Sequence, residues 1–360
     1  MSLMRLLAPA KINLFLRVGP RRDDGFHPLL SWMTTVGLFD NLEFERIPSP
    51  GIHLTAQGNP DAPADRSNLV VRAAEALAHA AHAAGGPTAP LTAGNGLGVH
   101  LTKRIPIGAG LGGGSSDAAR TLLGLNRLWG LNWPVSRLHD LAASLGSDVP
   151  FLLHTHSALC AGRGDRLAPL AAPAVAYAVL LFPPYGLSTP AVYRRFDELA
   201  ERPGADRALA PAEMGVGEMS QTGEPLEARA FHSSSPLPSP AAGAGPAESP
   251  ESPASPWSLA PAAVEPWVSW TTLPSAALLP RLVNDLEAPA FSIRPELGQL
   301  RSALEQSLSR IVRMSGSGST LFTLADSETE AHRLAARASS LHDLPAQAVR
   351  LCPALQDDLG

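Results

Sequence analysis

Residues Pro106-Ile-Gly-Ala-Gly-Leu-Gly-Gly-Gly-Ser-Ser-Asp-Ala-Ala119 place five glycines in the seven positions from Gly108 to Gly114, and two serines follow directly. Glycine reaches positive φ and has no Cβ, so the backbone can turn sharply and another group can come close to it. Beyond the serines, Ala118, Ala119, Leu122, Leu123, Leu125 and Leu128 recur at helical spacing. The loop therefore delivers free N–H groups and hydroxyls to a helix N-terminus, a natural site for an anion such as a nucleotide phosphate. A glycine turn that binds nothing has the same local look. Two familiar phosphate motifs do not fit. The preceding Val99-His-Leu-Thr-Lys-Arg-Ile-Pro106 is interrupted by charge and proline, and the acidic residue of a dinucleotide fold, expected about 20 residues on, is missing. No Gly-Lys-Ser or Gly-Lys-Thr is present either.

The bulk properties narrow the function classes. The 360 residues are enough for two domains with real cores. A formal net charge of −5 and a pI near 6.1 offer no basic surface to nucleic acid or anionic lipid. No apolar run is long enough to span a bilayer, and no signal or transit peptide precedes the first strand-like segment, so a cytoplasmic protein is expected. Two cysteines, Cys160 and Cys352, make neither a disulfide framework nor a metal cluster. The 28 basic residues include only two lysines, Lys11 and Lys103. A lysine kept against such a preference for arginine points to a place that needs a compact ammonium; drift is the other reading.

Along the chain, strands are expected over Leu6–Val18, Leu38–Ile47, Gly51–Thr55, Leu97–Leu101 and Ala174–Phe182. Helices are expected over Asn68–Ala84, Ser115–Trp129 and Val135–Leu145. From about 205 to 262 proline, alanine, serine and glycine dominate, which predicts a disordered insert, with Trp257, Trp267 and Trp270 pinning its far end. Beyond it, Leu297–Leu308 and Glu328–Leu341 read as helices, and Ile311–Met314 and Thr320–Leu324 as strands around a second glycine loop, Ser315-Gly-Ser-Gly-Ser319.

Three separated signatures stand together: Pro9-Ala-Lys-Ile-Asn-Leu14, the central glycine loop and Arg313-Met-Ser-Gly-Ser-Gly-Ser-Thr320. In this order they resemble the three motifs of the GHMP small-molecule kinases, and the resemblance covers the chain from Leu6 to about Leu351, the insert apart. Further segments resemble the branch of that family that phosphorylates a cytidyl-diphosphate-linked polyol. They are Asp24-Gly-Phe-His27, Ser67-Asn-Leu-Val-Val-Arg-Ala-Ala74, Leu145-Gly-Ser-Asp-Val-Pro-Phe151 and Val283-Asn-Asp-Leu-Glu287.

The resemblance implies an α+β, two-domain GHMP kinase fold. A ribosomal protein S5 domain 2-like, ATP-binding N-terminal domain would span residues 1–175, and a ferredoxin-like C-terminal domain residues 176–360, interrupted by the insert. It also implies transfer of the ATP γ-phosphoryl group to the 2-hydroxyl of a methylerythritol moiety, on the non-mevalonate route to isoprenoid precursors. Lys11 and Asp148 match the catalytic pair, with Asp148 the proposed base. Asn68, Lys103, Pro106, Ile107, Gly108, Ala109, Gly110, Leu111, Gly112, Gly113, Gly114, Ser115 and Ser116 match positions that hold ATP. Asn13, Phe26, His27, Thr189 and Tyr193 match positions that hold the cytidyl substrate, the base stacking between Phe26 and Tyr193. Phe26 departs from the usual tyrosine: it keeps the ring face and loses a hydroxyl. Mg²⁺ is expected mostly on phosphates and water. Ser115 or Ser116, and Asp285 and Glu287, stay open as protein ligands, Asp285 and Glu287 equally as structural groups. Another GHMP kinase acting on homoserine or a sugar, or a silent nucleotide sensor, would share the fold; the Asp24–His27 and Leu145–Pro150 segments argue against the former, and the presence of both Lys11 and Asp148 against the latter.

Overall fold

The strand Leu29–Ile47 is the backbone of the architecture, and its burial pattern explains why. From Leu38 onward, Leu38, Asp40, Leu42 and Phe44 are buried while their neighbours are only half-buried. That period of two marks a sheet covered on one face. From Ser31 to Val36 every residue is buried, because this half is covered on both faces. Met33 enters one core and Trp32 and Val36 a second.

The computed structural model describes residues 3–85, 96–201 and 261–359. Strand β1 (Met4–Val18) pairs antiparallel with β2 (Leu29–Ile47). On the other side of β2 lie β4 (Gly96–Thr102), which pairs with its second half, and β5 (Ser157–Gly162), which pairs with its first. β3 (Ile52–Gln57) runs parallel to β4, and β6 (Arg166–Pro169) closes the other end antiparallel to β5. Helices α1 (Leu69–Ala83), α2 (Gly113–Leu128), α3 (Val135–Leu145) and the short α4 (Val149–His154) complete this unit. Val70, Leu77, Leu122, Leu125, Leu138 and Phe151 from these helices meet Leu42, Phe44 and Val99 of the sheet in one core.

A second sheet has the order β10 (Ala346–Arg350), β7 (Tyr177–Leu181), β9 (Leu321–Ala325) and β8 (Arg313–Met314), all antiparallel. Numbered within this unit the order is 4-1-3-2, with helices between its first and second and its third and fourth strands, which is the split βαβ arrangement of ferredoxin-like domains. Its helices are α5 (Thr189–Ala200), α6 (Pro261–Thr271), α7 (Ser275–Leu278), α8 (Glu287–Ile293), α9 (Pro295–Leu308) and α10 (Glu328–His342). The two units are laced by main chain: Leu16 donates to the Val283 carbonyl at 2.8 Å, Asp285 donates back to the Leu16 carbonyl at 3.0 Å, and Leu351 bridges to Val36. A mixed core joins Ile12, Leu14 and Trp32 to Leu180, Phe322 and Leu282.

Trp267 and Trp270 both meet Phe15 edge-on, with centroids at 4.7 and 6.0 Å, so this end of the insert region is pinned to β1. The disorder expected over about 205–262 and the anchoring expected of Trp257 fall outside the described residues, except that Pro261 and Ala262 already belong to α6.

Candidate active site

Two glycine loops and the first strand meet face to face. Lys11 on β1 donates its backbone N–H to the Leu111 carbonyl at 2.9 Å, Thr320 donates to the Ala109 carbonyl at 3.1 Å, and the Ser315 hydroxyl donates to the Gly110 carbonyl at 2.9 Å. Gly110 has φ +77°, and a Cβ there would lie 2.1 Å from the Ser315 carbonyl oxygen. Glycine is required by that approach as much as by the dihedral. Asn284 donates to the carbonyls of Met314 and Gly316 and so braces the second loop.

These contacts enclose a cavity of about 890 Å³. Its wall contains Lys11, Asn13, Phe26, His27, Asn68, Lys103, the whole run from Pro106 to Ser115, Asp148, Thr189 and Tyr193. Residues from 11 to 193 and both units are thus brought to one space. Ser116 is the exception: it is fully buried inside α2, its hydroxyl has no partner among the described residues, and it is not part of the wall. The first turn of α2 begins at Gly113 after Gly112, which has φ +66°; such a turn leaves N–H groups without intrahelical acceptors.

The Lys11 ammonium lies 3.1 Å from an Asp148 carboxylate oxygen and donates to Asn13 Oδ1 at 2.7 Å. Asn13 in turn donates to the Ser31 hydroxyl at 2.8 Å, which fixes its amide. Asp148 stands immediately before α4 but makes no capping bond to it. Its carboxylate is therefore free for the cavity, where its side chain is 29 % exposed while that of Lys11 is 5 % exposed. A buried, charge-paired lysine beside a reachable carboxylate is an arrangement that can hold an alcohol and its proton.

The other lysine is placed differently. Lys103 is buried between two carboxylates, Asp40 and Asp117, the latter at 2.7 Å. Burial pulls its ammonium down, but the two carboxylates outweigh this and leave its pKa raised. Burial pushes Asp117 up to about 7, against the pull of Lys103 and with the added push of Asp40. A Cβ on Gly113 would come within 3.1 Å of the Lys103 ammonium, so this triad lies directly under the start of α2. Asp40 also accepts the backbone N–H groups of Arg104 and Ile105, fixing the chain that enters the loop. Asn68 caps α1: its side chain accepts from Val70 N–H at 2.9 Å and donates to the Pro63 carbonyl at 2.6 Å.

At the positions expected to hold substrate, the His27 and Tyr193 rings lie 5.2 Å apart. The His27 ring nitrogens face the Gly19 carbonyl at 2.9 Å and an Asp197 carboxylate at 3.4 Å. Burial, with the charge of Asp148, pushes the Tyr193 phenol up to about 12, so it stays protonated. The Thr189 hydroxyl is 2.7 Å from that of Ser317. Phe26 is 44 % exposed and carries the Arg163 guanidinium 3.6 Å above its ring. Asp285 pairs with Arg17 at 2.8 Å, and Glu287 with Arg301 at 3.0 Å and with the Met314 N–H at 2.8 Å; neither lines the cavity. Sequence reasoning missed Asp40, Ser31 and Arg163. Asp117 was missed as well, although its place directly after Ser115 and Ser116 was a signal for it; Asp40 lies far away in an ordinary strand.

Comparison with known proteins identifies the family. Residues 68–156 match the family described as GHMP kinases N terminal domain, and residues 273–343 match GHMP kinases C terminal. A Nocardioides protein named 4-diphosphocytidyl-2-C-methyl-D-erythritol kinase is 37% identical over 91% of this chain and 91% of its own length. A Bacillus velezensis protein of the same name is 32% identical over 92% of both chains. A solved structure titled 4-(cytidine 5'-diphospho)-2C-methyl-D-erythritol kinase superposes with a TM-score of 0.64 at 33% identity, covering 98% of this chain and 100% of that one. A homoserine kinase from Cytophaga hutchinsonii has a TM-score of 0.62 but 14% identity, which is a likeness of fold alone. On this evidence the chain belongs to the 4-diphosphocytidyl-2-C-methyl-D-erythritol kinase family of GHMP kinases.

Proposed function

We propose that the protein transfers the γ-phosphoryl group of ATP to the 2-hydroxyl of 4-diphosphocytidyl-2-C-methyl-D-erythritol, a step of the non-mevalonate route to isopentenyl and dimethylallyl diphosphate. The observation that carries the reading is the Lys11–Asp148 pair at 3.1 Å, set beside the glycine loop in one cavity. Phosphoryl transfer asks the protein for positioning, charge stabilisation and a group that orients the attacking hydroxyl. Asp148 accepts the proton of the 2-hydroxyl as the oxygen attacks. Lys11 holds that carboxylate and offers its remaining N–H to charge developing on the transferred group. The loop from Pro106 to Ser115 wraps the ATP phosphates with main-chain N–H groups, and the α2 terminus adds its dipole.

Asn68 and Lys103 border the nucleoside, fixing α1 and the loop as they do so. Asn13, His27 and Thr189 border the cytidyl substrate, with Phe26 and Tyr193 beside its base. Among the described residues no group of three His, Cys, Asp or Glu side chains could hold a metal. Mg²⁺ would be held chiefly by ATP phosphates and water, with the Ser115 hydroxyl at the cavity wall as its protein ligand, and would supply charge neutralisation. The domain boundary is taken at residue 175, between β6 and β7. Among the described residues no helix is long and apolar enough to cross a membrane.

The test is ADP release, coupled to a reporter, across a panel of the cytidyl substrate, homoserine, galactose and mevalonate. Turnover confined to the cytidyl substrate supports the proposal. Preferred turnover of another alcohol, or none at all with purified folded protein, overturns it.

A further inference from the structure

The cations lining the cavity are of two kinds. Lys11 is paired with Asp148, and Lys103 with Asp40 and Asp117. Arg21, Arg163 and Arg194 line the same cavity, and none of them forms an ion pair among the described residues. The free positive charge of the site therefore belongs to the arginines. They converge from three segments. Arg21 stands in the β1–β2 connection and donates to the Gly25 carbonyl at 3.3 Å. Arg194 follows Tyr193 on α5. Arg163 sits in the β5–β6 turn, where its N–H donates to Asp165 at 3.0 Å and its guanidinium lies on Phe26. Arg163 thus touches Phe26 itself, Arg21 lies against Gly25 beside it, and all three arginines line the cavity that Phe26, His27 and Tyr193 also line.

A guanidinium resting on an aromatic face keeps its N–H donors in its own plane and loses little freedom when it takes a bidentate phosphate. The chain as a whole has a net charge of −5, so an anionic ligand gains nothing from the overall field and depends on local cations. We propose that Arg163, together with Arg194 and Arg21, binds the diphosphate that links the base to the polyol, and so selects a nucleoside-diphosphate-linked alcohol over an uncharged nucleoside or a free polyol. This rests on the function proposed above, since it assigns the linker of that substrate. The paired lysines leave the ATP phosphates to the loop, the α2 terminus and Mg²⁺, while the arginines serve the second substrate.

The test is calorimetric binding of CDP and of cytidine to the full chain saturated with Mg²⁺ and a non-hydrolysable ATP analogue. The proteins compared are the wild type, Arg163→Gln, the Arg163→Gln/Arg194→Gln double variant and Arg163→Lys. The wild type is expected to bind CDP at least ~10-fold more tightly than cytidine, and the double variant to lose most of that ratio while keeping its cytidine affinity. Arg163→Lys should recover part of it, because the charge returns. In turnover, KM for the cytidyl substrate should rise and depend less on salt, with kcat and KM for ATP nearly unchanged. A CDP preference that persists in the double variant, or no preference in the wild type, overturns the arginine assignment and leaves the kinase reading standing. A wild type that binds neither probe overturns both.

Discussion

At the residue scale the chain's two lysines illustrate what a sequence can and cannot reveal. Their rarity marked both as special, and both line the cavity. The partner carboxylates decide what each does, and only one of the three, Asp148, was singled out by the sequence. Asp148→Asn and Lys11→Ala are each expected to lower kcat by at least ~10²-fold while nucleotide still binds, the scale of a general base or an electrostatic group. Steady-state kinetics with calorimetric ATP titration checks this, and near-normal turnover of Asp148→Asn would remove it from the base role. The Asp117 carboxyl gives a pH signature of opposite sign to the usual paired carboxylate. Its pKa is pushed up to about 7 in the folded protein, so the fold holds a proton that the unfolded chain has released. Its contribution to stability is therefore full below the ordinary carboxylate range and is lost as pH rises toward 7. Denaturant unfolding should show the wild type losing stability relative to Asp117→Asn between about pH 4 and pH 7. A constant difference across that window would show that Asp117 is ionised throughout.

At the element scale, long periodic segments were legible and short ones were not. The helices over Asn68–Ala84 and Val135–Leu145 lie where the spacing places them, with Asn68 and Pro134 as their caps. α2 begins at Gly113, two residues before its expected start, because the glycines themselves form its first turn. β2 begins at Leu29 instead of Leu38, since its first half is buried on both faces and lacks alternation. α4, six residues with Pro150 inside its first turn, carries too little pattern to be read, yet it sets the position of Asp148. The glycine loop divides by what each Cβ would meet. At Gly108 nothing lies within 4 Å, at Gly110 the Ser315 carbonyl lies at 2.1 Å, and at Gly112 the Lys11 side chain lies at 2.9 Å. Gly108→Ala should cost about 1–2 kcal/mol from positive φ alone. Gly110→Ala should lower Tm the most of the three, and Gly112→Ala should lower kcat through Lys11 more than it lowers Tm. Thermal melts beside kinetics check the order, and three equal Tm losses with unchanged kcat would show that the loop is only a turn.

At the scale of the whole molecule, the three separated motifs forecast that distant segments must converge, and the clasp of Gly110 on Ser315 is where they do. The main-chain lacing of Leu16 to Val283 and Asp285 was not legible, because backbone pairing across 260-odd residues leaves no local trace in the side chains. The residues expected to bind lie outside positions 202–260, and α5 and α6 flank that stretch on folded elements. Replacing 202–260 with a Gly-Ser linker of about twenty residues, with a typical reach of about 25 Å, should change stability by only about 1 kcal/mol and retain substantial kinase activity. Loss of folding, or a collapse of kcat/KM with ATP binding intact, would mean that the insert packs on the cavity. The central claim is that the Lys11–Asp148 pair directs phosphate to one alcohol of a cytidyl-diphosphate substrate. Phosphorus and carbon NMR of the product made from ATP and 4-diphosphocytidyl-2-C-methyl-D-erythritol tests it most directly. The expected result is one new phosphate monoester, coupled to the carbon that bears the 2-hydroxyl, with the diphosphate linkage intact; phosphate on another hydroxyl, or a cleaved diphosphate, would contradict it.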